Sequence, residues 1–101
     1  MIVRVWQGVA PQSKASDHVT YIRQELLHSY VNVPGNRGAL LLSRPRGDHS
    51  EFLLLSFWDS TSSLEALTGP DVDCPLPREL INPSPIVKNY QVVVYHLPDE
   101  G

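Results

Sequence analysis

Between Ser50 and Asp73 the chain reads SEFLLLSFWDSTSSLEALTGPDVD, a densely apolar strand followed by a short capped helix. Phe52, Leu53, Leu54, Leu55 and Phe57 form an almost continuous apolar run. Side chains alternate across a strand, so a run of this kind puts carbon on both faces of its sheet. Trp58 closes the strand and Asp59-Ser60 starts the helix, because both short polar side chains can accept from the unpaired N–H groups of a first turn. Ser62 and Glu65 also have capping-box spacing, which leaves a slightly later start open. Gly69-Pro70 ends the helix, giving it a span of roughly Ser60–Leu67.

The other elements follow from period and punctuation. Ile2–Gln7 alternates as a strand, with Val3 and Val5 on one face and Ile2, Arg4 and Trp6 on the other. Pro11-Gln12-Ser13 interrupts it. Ser16-Asp17 can cap a helix to about Tyr30, with Val19, Ile22, Leu26 and Tyr30 at helical spacing. Val33–Gly38 is a turn cluster, and Ala39–Ser43 is a second strand. Pro45-Arg46-Gly47-Asp48 returns the chain into the Phe52–Phe57 strand as an antiparallel hairpin. Five prolines between Pro70 and Pro85 rule out a long regular element there, leaving at most one helical turn around Arg78–Ile81. A last strand, Ile86–His96, is expected before a frayed tail, Leu97–Gly101.

The order is β-α-β-β-α-β, an α+β, ferredoxin-like arrangement with both helices on one face of a four-stranded antiparallel sheet. At 101 residues this is a single domain over residues 1–101. Leu40–Leu42 and Leu53–Leu55 leave the second face with few polar residues, so a second copy is expected to cover it.

Several function classes drop out. The net charge of −3 and the absence of a basic run argue against a nucleic-acid partner. No apolar stretch is long enough to span a bilayer, and the first residues are wrongly flanked for a secretory signal, so a cytoplasmic location is expected. Cys74 is alone, which excludes an internal disulfide or a cysteine-based zinc site, and no base lies near it in sequence to make it a nucleophile. His18 and His28 are almost three helical turns apart, too far for one metal ion; His49 falls in a turn and His96 near the end. No metal is therefore expected. No G-x-S-x-G, P-loop or dinucleotide fingerprint occurs.

Taken together, Arg4-Val5-Trp6, Pro34-Gly35-Asn36-Arg37-Gly38, Glu51-Phe52-Leu53, Phe57-Trp58-Asp59-Ser60, Gly69-Pro70-Asp71 and Asn89-Tyr90-Gln91-Val92 resemble, in order and spacing, the antibiotic biosynthesis monooxygenase family. The resemblance covers roughly residues 1–95. It implies a dimeric α+β barrel in which two ferredoxin-like sheets pack face to face, with a pocket between sheet and helices in each protomer. It also implies one of several chemistries: cofactor-free oxidation of anthrone-type polyketides by molecular oxygen, haem degradation, or action on quinones. The haem-degrading branch uses an Asn on the first strand, a Trp on the second helix and a downstream His on iron. Here those places hold Trp6, Leu67 and no histidine near Pro77, which counts against that branch.

The reading that results is a homodimeric, cofactor-independent monooxygenase or oxidase of aromatic, polyketide-like substrates. Such chemistry needs a dry aromatic pocket, an anion partner and a proton acceptor. Arg4, Trp6, Asn89 and Tyr90 are the candidate catalytic residues, with Arg4 holding the substrate anion because guanidinium keeps its charge when buried. Trp58, Tyr21 and His28 are candidate substrate contacts, Trp58 by stacking and His28 as a possible proton acceptor. Each has a structural use as well: the tryptophans and Tyr90 as packing residues, Arg4 in an ion pair, His28 exposed on its helix, and Asp59 as a helix cap rather than a base. The competing reading is a non-catalytic small-ligand-binding or structural homodimer, which a pocket filled by Trp6 and Leu67 would favour.

Overall fold

The structure, a computed structural model, describes residues 1–96. Its four strands are β1 (Ile2–Pro11), β2 (Asn36–Arg46), β3 (His49–Trp58) and β4 (Ile86–Gln91). They form one antiparallel sheet in the order β2-β3-β1-β4, so the densely apolar β3 lies in the interior beside β1. Two crossovers carry helices to the same face, giving the β-α-β-β-α-β ferredoxin-like arrangement. The expected frayed tail, Leu97–Gly101, lies outside the described residues.

The first crossover is a composite helix: a 3₁₀ turn (Gln12–Lys14), α1 (Ala15–Tyr21), a π-helical segment (Ile22–Leu27) and α2 (His28–Val31). Its start differs from the Ser16-Asp17 expectation. Lys14 holds the cap position without a side-chain bond, and Asp17 instead places its charge in the first turn, against the unpaired N–H groups. Ile22, Leu26 and Tyr30 recur every four residues and are buried against the sheet. The second crossover helix, α3 (Thr61–Thr68), starts where the polar step places it: the Ser60 hydroxyl accepts from the Ser63 N–H at 3.2 Å. Gly69, at φ 77°, ends it. Asp59 takes no cap role and pairs with Arg37 at 3.1 Å on the surface.

Alternation along the strands separates two faces. Arg4, Trp6, Gly8 and Ala10 of β1 and Ser50, Phe52, Leu54, Ser56 and Trp58 of β3 point to the helices and are buried. Trp6 and Trp58 are completely buried, each removing on the order of 200 Å² from water. Gly8 makes room for this packing, since a Cβ there would lie 2.7 Å from the Trp6 ring and 2.8 Å from Ile81 Cδ1. On the opposite face Leu40, Leu42, Ile86 and Tyr90 remain about half exposed.

The last strand is shorter than Ile86–His96. Gln91 pairs with Ile2, the first residue of β1, and one further bond joins the Val92 N–H to the Met1 carbonyl. No strand pairs with the chain beyond that bond among the described residues, and Val93 and Val94 are left at 90% and 85% exposure.

Candidate functional site

The site begins with an arginine placed where the strand pattern calls for carbon. Arg4 lies on the helix-facing side of β1, directly opposite Ser56 of β3 and Asn89 of β4. It is fully buried, as is its partner Glu79. Guanidinium and carboxylate meet in a two-point fork, Nη1 to Oε2 and Nη2 to Oε1, both 2.9 Å. Glu79 comes from the single 3₁₀ turn (Pro77–Glu79) in the proline-rich segment.

Other donors converge on the same glutamate. The Tyr30 hydroxyl donates to Glu79 Oε2, and the Leu76 N–H donates to Oε1 at 2.7 Å. The Trp6 indole N–H reaches the Glu79 backbone carbonyl at 3.1 Å. Arg4 Nη2 donates also to the Cys74 carbonyl at 3.1 Å, and Nη1 lies 3.3 Å from the Tyr30 oxygen. Of the Arg4 side-chain nitrogens, Nε is buried without a partner among the described residues. Trp58 adds an aromatic wall, its ring edge-on to Tyr30 with centroids 6.3 Å apart, while its indole N–H donates to the Ser56 hydroxyl at 2.9 Å.

This cluster unites part of the expected set. Arg4 and Trp6 meet at Glu79, and Trp58 joins them through Tyr30. Asn89 lies on the same face but spends its amide N–H groups on the Val72 carbonyl (2.7 Å) and Asp73 (2.9 Å), pinning the proline-rich segment to β4; its Oδ1 is buried and unpartnered. Tyr90 is separated from the cluster. It projects to the opposite, open face at 54% exposure, because one step along a strand reverses the side. Tyr21 donates its hydroxyl to the Arg78 carbonyl and so holds the same 3₁₀ turn from the outside. His28 is exposed on the composite helix.

Tyr30 and Glu79 are the members that sequence reasoning did not place in the site. Tyr30 reads as the end of an apolar helical stripe, which it also is. Glu79 carries a signal in hindsight: it is the single acid between Asp73 and Asp99, and Arg4 is the single charged residue before Lys14.

A cleft of about 440 Å³ opens beside the cluster, lined by Ser29, Leu67, Leu76, Pro77 and Arg78. Two of its walls are the sequence neighbours of Tyr30 and Glu79. Cys74, exposed on the same segment, donates its thiol to Asp71 Oδ2 at 2.9 Å. That bond, and the charge of Asp71, push the thiol pKa up and keep it from acting as a thiolate. No group of three or more His, Cys, Asp or Glu side chains that could hold a metal ion occurs among the described residues.

No family model matches the sequence, and no curated protein matches it either. Solved structures do. A Bacillus cereus protein named for the antibiotic biosynthesis monooxygenases superposes with a TM-score of 0.71 at 13% identity, covering 96% of this chain and 97% of that one. The heme-degrader MhuD of Mycobacterium tuberculosis, with two hemes in its active site, gives a TM-score of 0.58 at 20% identity, covering 95% and 99%. A variant of MhuD with two manganese protoporphyrins per active site gives 0.63 at 18% identity, covering 97% and 100%. The chain therefore shares the ferredoxin-like protomer fold of these structures.

Proposed function

We propose that this chain is a homodimeric member of the antibiotic biosynthesis monooxygenase family that oxidises an anthrone- or hydroquinone-like aromatic with molecular oxygen and no cofactor. The observation that carries this reading is the convergence of a guanidinium and a phenol hydroxyl on one buried carboxylate, with an indole N–H on the same residue's backbone carbonyl and the Trp58 ring edge-on to the phenol. An electron-rich aromatic is oxidised by oxygen once it has lost a proton, and the resulting anion needs donors of this kind in a dry site. In the anthrone case, anthrone plus oxygen gives anthraquinone plus water, so one oxygen atom enters the product and no outside reductant is required. Arg4 and Tyr30 hold the developing oxyanion, Trp6 and Trp58 shape the flat cavity, and the Glu79 carboxylate receives the proton. Asn89 fixes the segment that carries Glu79, and Tyr21 does so from the other side. Tyr90 and His28 have no part in this centre.

Haem does not fit the cleft. Ser29, Leu67, Leu76, Pro77 and Arg78 offer no imidazole, thiolate or thioether to iron. The position expected to hold an iron-binding histidine lies instead within the turn that delivers Glu79. Homodimerisation rests on the open face, where Leu40, Leu42, Ile86 and Tyr90 would otherwise face water together. A cytoplasmic location belongs to the same reading and rests on the lone Cys74. No helix among the described residues is long and apolar enough to cross a membrane.

Oxygen uptake with an anthrone and a naphthohydroquinone, without added metal or flavin, tests the activity. Tyr30→Phe keeps the ring and removes one oxyanion donor, so the rate should fall about a hundredfold. No uptake above spontaneous oxidation with either compound would overturn the activity. One observation favours the second reading, a ligand-binding or structural dimer: Trp6 and Trp58 are wholly buried and Arg4 already has its counter-ion. Oxygen-independent saturable binding of the same aromatics would support it.

A further inference from the structure

The donors around Arg4 are satisfied by an amino acid that arrives from a weakly built part of the chain. Pro77, Arg78 and Leu80 around Glu79 are exposed, Leu80 at 58%, and Ile81 just after the turn packs on the core. Glu79 itself is held by polar contacts: the Arg4 fork, the Tyr30 hydroxyl and the Trp6 indole, with the Tyr21 hydroxyl on the neighbouring Arg78 carbonyl. Leu76, Pro77 and Arg78 of the same turn form one wall of the 440 Å³ cleft. Outward rotation of that wall would withdraw Glu79 and join the cleft to the Arg4 guanidinium.

We propose that the Arg4 fork is a binding subsite for the carboxylate of a flat aromatic acid, and that Glu79 is its built-in occupant in the closed chain. The chemistry of recognition is already displayed in the Glu79 contacts: two parallel guanidinium bonds at 2.9 Å and a phenol hydroxyl on one oxygen, with the Trp58 ring edge-on to that phenol. Arg4 Nε, buried and without a partner among the described residues, supplies one donor that Glu79 does not use. Arg78, exposed at the cleft, puts a second positive charge on the path of an incoming anion. A tethered carboxylate competes at an effective concentration in the millimolar range. The closed chain therefore discriminates against weakly bound acids and admits one whose ring also fills the cleft. This inference rests on the aromatic-substrate reading above only for the claim that the cleft is a ligand site; with an acid in the fork Glu79 is displaced, so the acid is a competing ligand and not the oxidised substrate.

The test uses the unaltered protein, 2-naphthoate and its uncharged analogue 2-naphthamide. Naphthoate should quench tryptophan fluorescence saturably and accelerate hydrogen exchange at the Leu76 amide, which loses its Glu79 acceptor when the turn swings out. Naphthamide should do neither. In Glu79→Ala the naphthoate Kd should fall about a hundredfold, and Arg4→Met/Glu79→Ala should abolish that gain. Equal binding of naphthoate and naphthamide, or binding of naphthoate with unchanged exchange at Leu76, overturns the proposal, as does no binding at all. If Glu79→Ala does not fold, the measurements on the unaltered protein decide alone. Naphthoate binding at Arg4 without any oxygen uptake would leave the subsite and remove the oxidase reading. Hydroquinone oxidation that saturating naphthoate fails to inhibit would leave the oxidase and remove the subsite.

Discussion

On the helix-facing side of the sheet, every large side chain is covered by the chain itself, and even an arginine is fully buried. On the opposite side, built from the same four strands, leucines and an isoleucine one step along in sequence remain half exposed. The two faces are closed by different means. The inner face is completed locally, by the composite helix, α3 and a polar latch from the proline-rich segment. The outer face sets Leu40, Leu42, Leu53, Leu55 and Ile86 beside a few polar residues, Gln7, Lys88 and the Arg44–Glu51 pair, and no helix covers it among the described residues. A buried ion pair gives one defined geometry to the segment that closes the inner face, whereas an apolar plane gives area without a fixed partner orientation. On the proposed reading, specific chemistry belongs on the first face and association on the second.

The largest effect should come from breaking the latch on one side only. Glu79→Leu leaves the Arg4 guanidinium buried without its counter-ion, which should cost about 3–5 kcal/mol in chemical denaturation. Arg4→Met/Glu79→Leu should recover most of that loss, because two apolar side chains of similar size remove the uncompensated charge. Stability as low in the double variant as in the single would show that the pair does more than neutralise itself. It would also tie the placement of the proline-rich segment to Arg4 directly.

A smaller change in folding, but a large one in association, is expected on the outer face. Leu42 is 44% exposed within one chain, so Leu42→Lys should alter protomer stability by no more than about 0.5 kcal/mol. In the dimer the lysine would be desolvated at an apolar plane, and the dimer Kd should rise a hundredfold or more. Sedimentation at several concentrations distinguishes the outcomes. An unaltered protein that sediments as a monomer throughout would end the assignment of this face to self-association.

The contrast between the faces was largely readable before the structure, while the latch was not. Period-two alternation in β1 and the apolar run of β3 give the strand faces directly, and Ser60 and Gly69 bracket α3 within a residue. Polar residues in long-range contact carry no such periodicity. The Arg4–Glu79 fork joins residues 75 positions apart, and the segment between Gly69 and Pro85 has neither the helical nor the strand repeat that would orient Glu79. Tyr90 was grouped with Asn89 by sequence adjacency, although neighbours on a strand face opposite ways. The length of β4 was misjudged for a related reason. Its alternation continues to Val94, but a strand needs a partner backbone, and none pairs with it there among the described residues.

The smallest effect concerns the far edge of the outer face. Glu51 of β3 accepts from Arg44, directly opposite on β2, at 2.7 Å, and from Arg46 at 2.8 Å. The hydrogen bond from Arg44, then that from Arg46, hold the Glu51 carboxyl below its usual range. A depressed native pKa means the contribution is present above the unfolded carboxylate's value, near 4.3, and is lost as pH falls through the lower native one. All three groups are close to water, so salt should screen much of it. The unaltered protein should therefore lose slightly more stability than Glu51→Gln between pH 5 and pH 3, and the difference should shrink at high salt. Parallel pH curves for the two proteins would show that the arginines only decorate this edge, leaving the β2–β3 hairpin to its backbone ladder and leucine pairs.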